Sequence, residues 1–240
     1  MSRLTRALIA AALGLFWFWG GPAEQLAEDI SRARAEELRS EGAGLAVEVI
    51  LRAADDAPDA LPRGEEALAL AEHLRAALQH EDHTARWSEG ALSLLDDDQR
   101  AAVKLGADRP PLPPSRSNPR TPAELVRLVE LLSAQVGAVS NPPPPPPDQD
   151  PLPGLSPVAR ARGLLALVEA GSPPLTPAQA RAIQAAALGG VQAHEALYAE
   201  VSVILNTLDP SLLASLPRLG ERHDPNRAEA ALAALRRRGG

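Results

Sequence analysis

Apolar positions recur along this chain at the spacing of one helix face. In the segment that starts at Pro177, the stripe Ala187, Val191, His194, Tyr198, Val201, Leu205 and Leu208 steps by four and three residues in turn, which is the seam of a long helix lying against a partner. A second stripe, Leu70, Leu74, Leu78, Leu92 and Leu95, falls on Ile183, Ala187, Val191, Leu205 and Leu208 when the chain is shifted by 113 positions. The same shift lays Asp96 on Asp209, Ala101 on Ala214 and Val103 on Leu216. Each long segment follows a short apolar helix, predicted over 45–54 or 158–170, and is followed by a further helical segment, 122–136 or 226–238. The pattern predicts an internal duplication. A shift of 114 would match His80-Glu81 with His194-Glu195, but only 113 keeps the whole stripe in phase. Gly189-Gly190, each Gly about 1 kcal/mol less favourable than Ala inside a helix, predicts a kink near the middle of the second long helix.

Proline and capping residues punctuate the stripes. The stretches RPPLPPSRSNPRTP (109–122) and NPPPPPPDQDPLPGLSP (141–157) lack the N–H groups of a helix and are expected to be extended polyproline II. The second, with six consecutive prolines, is the expected domain boundary, a semi-rigid spacer. The chain then divides into an N-terminal segment 1–23, a helical unit 24–140 with the loop 109–122 inside it, the linker 141–157, and a helical unit 158–240. Thr176-Pro177-Ala178-Gln179 is a capping box with Pro at the first helical position, Asp96-Asp97-Asp98-Gln99 a second box, and Asp209-Pro210 a third helix start. The long segments accordingly end at Leu95 and Leu208.

Composition settles the class expected from these stripes as all-α. Hydrophobic residues make up 45% of the 240 residues but aromatics only 2%, so the core must be Ala, Leu, Val and Ile. Ala and Leu are strong helix formers, and the aromatic side chains that sheets favour are scarce. The net charge of −7 supplies no basic face for phosphates, so no nucleic-acid partner is expected. Arg236-Arg237-Arg238 fits cations at the last turn of a helix. Without cysteine there is no disulfide, thiol chemistry or Cys-ligated zinc.

Residues 1–23 place Arg3 and Arg6 before an uncharged apolar run from Ala7 to Trp19, with acids following at Glu24, Glu28 and Asp29. That order is a secretory signal or signal anchor, with the N-terminus inside and the remainder outside. The cluster Phe16-Trp17-Phe18-Trp19 suits an interfacial belt, and Gly21-Pro22-Ala23 is a poor cleavage site, both of which favour an uncleaved anchor. The run is shorter than the roughly 20 residues of a bilayer crossing, which favours cleavage. The expected location is the bacterial inner membrane, single-pass, with the C-terminal part periplasmic, or else the periplasm after cleavage.

Leu175-Thr176-Pro177-Ala178-Gln179 reads LTxxQ, and Leu95-Asp96-Asp97-Asp98-Gln99 is an LxxxQ version of it. On an exported helical chain this resembles the periplasmic LTxxQ proteins of the Spy and CpxP type. The resemblance implies helical hairpins that act as stress-response chaperones or, in related sensors, bind metal.

The residues that carry chemistry are few. His73, His80 and His83, with Glu81 beside them, share one predicted helix and are the candidate metal ligands, because imidazoles along one face can chelate a transition ion. His194 lies on the apolar seam and reads as a packed histidine. Asp55-Asp56 and Asp96-Asp97-Asp98 would suit acid/base work as paired carboxylates, but their places in a loop and at a helix N-terminus suit capping. No nucleophile elbow, phosphate loop, dinucleotide fingerprint or zincin motif is present, so neither catalysis nor a cofactor is expected. The sequence points to a membrane-tethered scaffold or chaperone-like binding protein with protein partners in the cell envelope. The alternative is a metal-responsive sensor using the His73, His80 and His83 face.

Overall fold

A computed structural model of the protein describes residues 42–113, 121–208 and 224–240. The N-terminal segment 1–23, the helix start at Asp209-Pro210 and the middle of the loop 109–122 lie outside the described residues. Among the described residues the fold is all-α: seven α-helices, one 3-10 turn at Pro58–Ala60, and no strand. The helices are α1 (Ala43–Asp56), α2 (Glu65–Ser93), α3 (Asp97–Ala107), α4 (Ala123–Val136), α5 (Pro157–Ala170), α6 (Pro177–Thr207) and α7 (Pro225–Gly239). No helix among the described residues is long and apolar enough to cross a membrane.

Local chemistry fixes most of these boundaries. Asp96 accepts from the Gln99 amide at α3, and Thr176 from the Gln179 amide at α6, each closed into a capping box by the glutamine reaching back. Ser156 accepts from the Ala159 amide at α5 and Asp224 from the Asn226 amide at α7, with Pro157 and Pro225 in the first helical position. Helix α1 has no local cap. A carboxylate from α2, Glu81, accepts from the Ala43 amide at 3.0 Å instead. Helix α5 ends on Gly171 in the left-handed conformation at φ 62°, where a residue with a Cβ would be strained.

The two long helices form the spine. The first part of α2 (Leu70, Leu74, Ala77) and the last part of α6 (Leu197, Val201, Ile204, Leu205) are buried in one core with α1 and α7. The last part of α2 (Ala91, Leu92) and the first part of α6 (Ile183, Ala187) are buried in a second core with α3, α4 and α5. Helices α2 and α6 therefore run antiparallel, with one core at each end.

The stretch 141–157 separates two halves in sequence, but each core draws on both, so the halves at 24–140 and 158–240 do not bury separate interiors. The physical reason is the length of the two apolar seams: α2 and α6 bury both ends of their stripes against each other, and neither seam could be covered by the short helices of its own half alone.

Small residues set the closest crossings. A Cβ on Gly163 of α5 would lie 2.2 Å from the Val103 carbonyl oxygen of α3, and one on Gly106 would lie 2.5 Å from the Ala166 Cβ. These two helices meet backbone to backbone because glycine stands at both crossings. At the other end, the Glu48 carboxylate of α1 receives the Arg227 guanidinium of α7 and, by that hydrogen bond first and by charge second, raises it further above its ordinary range. The C-terminus of α7 is held by Arg238, which donates to the Leu61 carbonyl at 3.0 Å, while the Arg238 carbonyl accepts from Gly64.

Candidate functional site

The three histidines expected to ligate metal are not brought together. His73 Nδ1 pairs with Glu200 Oε2 across the α2 and α6 spine at 2.7 Å. His80 and His83 face a groove described below. Glu81 is occupied at the α1 N-terminus. Among the described residues no group of three or more His, Asp or Glu side chains is placed to hold a metal ion. The reason lies in what covers the helix: α6 supplies Glu200 to His73, and about 10 Å of helical rise stands between His73 and the groove that His80 faces. His194 is half-buried on the seam of α6.

The acidic pairs serve helix ends. Asp96 caps α3, Asp97 pairs with Arg100 at 2.7 Å, and Asp56 pairs with Arg52 at 3.6 Å, all exposed carboxylates. Sequence patterning missed the buried ionic residues. Arg160 of α5, its side chain 6% exposed, pairs with Asp150, lies 3.8 Å from Glu89 of α2 and donates to the Leu152 carbonyl. Its guanidinium thereby pins the end of the proline stretch to α2. Glu124 of α4 accepts from Arg162 and from the Leu112 amide, tying the loop before α4 to α5. No local signal marks either pair, because their partners come from distant segments.

The two LxxxQ turns meet face to face. Gln99 Nε2 donates to the Pro174 carbonyl and Gln179 Nε2 to the Leu94 carbonyl, each at 2.8 Å. The two side-chain amides also join, Gln179 Nε2 to Gln99 Oε1 at 2.9 Å. Each glutamine thus closes its own capping box and satisfies a carbonyl of the other turn, which leaves neither amide available to a ligand.

A recess sits where α2, α6 and the proline stretch converge, a groove of about 630 Å³. Its floor is Trp87 of α2, which lies against Gly190 of α6; a Cβ there would come within 2.8 Å of the indole Cγ. One wall is the face of α6 at Ala186, Gly189 and Ala193, all small. The opposite wall is made of proline rings, Pro143, Pro144 and Pro146, seated on α2 where Gly90 offers no Cβ to the Pro144 carbonyl. Prolines 144 and 147 are half-buried while 142, 143, 145 and 146 are exposed. That period of three is the one a polyproline II helix lying on one edge would show. The polar groups are His80, His83 and Arg86 on α2 and Gln192 on α6. A cavity of this size falls within the range of about 300–1,000 Å³ typical of ligand sites. A second recess between α3 and α5, about 180 Å³, falls below it.

The groove was not legible as such. In sequence its residues belong to the histidine face of α2, the Gly189-Gly190 pair and the proline stretch, and only the crossing of α2 and α6 joins them. The comparisons add no relative: no family model, no curated protein and no solved structure matches this chain, so a functional reading rests on its own residues and geometry.

Proposed function

We propose that this protein is an exported, membrane-tethered helical binding or scaffold protein of the cell envelope, chaperone-like in that it takes apolar segments of protein partners and performs no chemistry on them. The groove at Trp87 is the observation that carries this reading. It combines an aromatic floor, small-residue and proline walls, and a few polar groups at its edge, the composition of a recognition site. The export signal in residues 1–23 supplies the location, and the paired LxxxQ turns keep the resemblance to the periplasmic LTxxQ proteins as part of the proposal. The metal-sensor alternative has no observation in its favour, since His73 is committed to Glu200.

The same proposal reads the chain as two related units. In support, positions matched by the shift of 113 play the same packing roles: Leu70 and Ile183, Leu74 and Ala187, Leu92 and Leu205, and Leu95 and Leu208 are all buried, while Leu78 and Val191 are both half-buried. Each unit contributes one helix to the spine.

Two measurements test this. Titrating the full chain with a short peptide of leucine and alanine is expected to change Trp87 emission saturably. Ala196→Trp, which fills the groove from α6, should abolish the change while the unfolding midpoint is kept. Equal binding by the filled variant would remove the groove from the proposal. For location, alkaline phosphatase fused after Gly44 should be active in a bacterial host; an inactive fusion, with a cytoplasmic reporter active at the same point, reverses it.

A further inference from the structure

The groove's hydrogen-bonding inventory selects among peptide segments, an inference that rests on the groove being the binding site. Proline rings carry no N–H, and the walls on α2 and α6 have their backbone amides committed within the helices. The groups left to meet a ligand are side chains: the Arg86 guanidinium, the imidazoles of His80 and His83, and the Gln192 amide. Arg86 can only donate, and it is the one charged residue of the lining. Among the described residues no Asp or Glu lines this groove. Glu81, next to His80, is turned away to the α1 N-terminus. Among the described residues Arg86 meets Glu89 by a single Nε contact of 3.3 Å on an i,i+3 pair, and its terminal N–H groups face no other described acceptor.

We infer that the preferred ligand is an apolar peptide segment bearing one carboxylate side chain, with the acid received by Arg86 and His83 and the apolar neighbours laid over Trp87. A segment carrying a lysine at the same place would set a cation against Arg86 and find no carboxylate in the lining.

The experiment uses the full chain and three acetylated, amidated hexapeptides of leucine and alanine that differ at one central position, glutamate, glutamine or lysine, with decanoate as a fourth probe. Trp87 emission is the readout, and Trp87→Phe identifies the source of the signal. The glutamate peptide should bind about fivefold tighter than the glutamine peptide, the scale of one exposed charge pair, with lysine weakest. Arg86→Gln should bring the affinities for the glutamate and glutamine peptides together, a ratio measured within one variant that simple loss of fold would not equalise. Equal binding of all three peptides overturns the carboxylate inference and leaves the groove as a binding site. Binding of none overturns both. Decanoate binding as tightly as the glutamate peptide overturns the peptide and reassigns the groove to free apolar acids.

Discussion

Gln179 makes three kinds of bond at once: to the Thr176 amide of its own turn, to the Leu94 carbonyl of the other turn, and to the Gln99 side chain. Its loss should therefore cost more than the loss of a cap. Thr176→Ala removes the hydroxyl acceptor alone and should destabilise by about 1 kcal/mol, while Thr176→Asp, which caps equally well, should be nearly neutral. Gln179→Leu should cost about 2 kcal/mol, because the Leu94 carbonyl loses its donor as well. In a double-mutant cycle, Gln99→Leu and Gln179→Leu should couple by about 1 kcal/mol in urea unfolding. Strict additivity would show that the paired amides do not act together. The capping boxes were legible because the residues that make them lie three apart in sequence. The pairing of the boxes was not, since it joins positions 80 residues apart. Arg160 is the same case in stronger form: nothing in its neighbourhood marks it as buried, and its partners arrive from the proline stretch and from α2. Arg160→Met should cost about 2 kcal/mol, below the 3–5 of a fully buried pair, because Asp150 and Glu89 retain some contact with water. Loosening of the proline wall should also shift Trp87 emission to the red.

At the scale of elements, the adjacent glycines of α6 separate local propensity from packing. The expectation of a kink rests on the low helix propensity of glycine, and α6 continues as one helix through both positions. Gly190 is required by contact, as its missing Cβ makes room for the indole of Trp87, whereas a Cβ on Gly189 would meet nothing nearer than Pro143 Cγ at 3.7 Å. Gly189→Ala should then stabilise by about 0.5–1 kcal/mol through helix propensity. Gly190→Ala should destabilise by about 1–2 kcal/mol through overpacking, because the Trp87 ring must shift. Opposite signs for neighbouring, identical substitutions, read from thermal or urea midpoints, would show that tertiary contact decides this stretch. Two destabilisations of equal size would show that the contact at Gly190 does not set the two positions apart. The histidine face of α2 teaches the same lesson. Periodicity placed His73, His80 and His83 along one side, but α6 covers part of that side and supplies Glu200 to His73, while His80 and His83 face the groove beside the proline stretch. Periodicity says which residues share a face and nothing about what arrives to cover it.

For the whole molecule, the sequence carried the helical class and the positions of the short helices to within a few residues, because apolar spacing, caps and prolines are local. It did not carry the crossing of α2 and α6, which is a contact between seams more than a hundred residues apart. That crossing governs stability. The core at the α1 and α7 end takes Leu45, Ile50 and Leu74 from one side of the proline stretch and Ile204 and Leu235 from the other. The core at the opposite end takes Leu92, Leu128 and Leu132 from one side and Leu164 and Ile183 from the other. Each large aliphatic side chain contributes roughly 1.5–3 kcal/mol when buried, so a half on its own forfeits an amount comparable with the roughly 5–15 kcal/mol by which small proteins are stable. Residues 24–140 and 158–240 prepared as separate chains should each lack a cooperative unfolding transition. Mixed, they should regain the helical signal and unfold with a midpoint that rises with concentration, since association then contributes to folding by mass action. Circular dichroism of each fragment and of the equimolar mixture measures this directly. A sharp, concentration-independent transition for 24–140 alone would mean that the first half holds its own core, and the proline stretch would then be the spacer between two separate units that its composition first suggested.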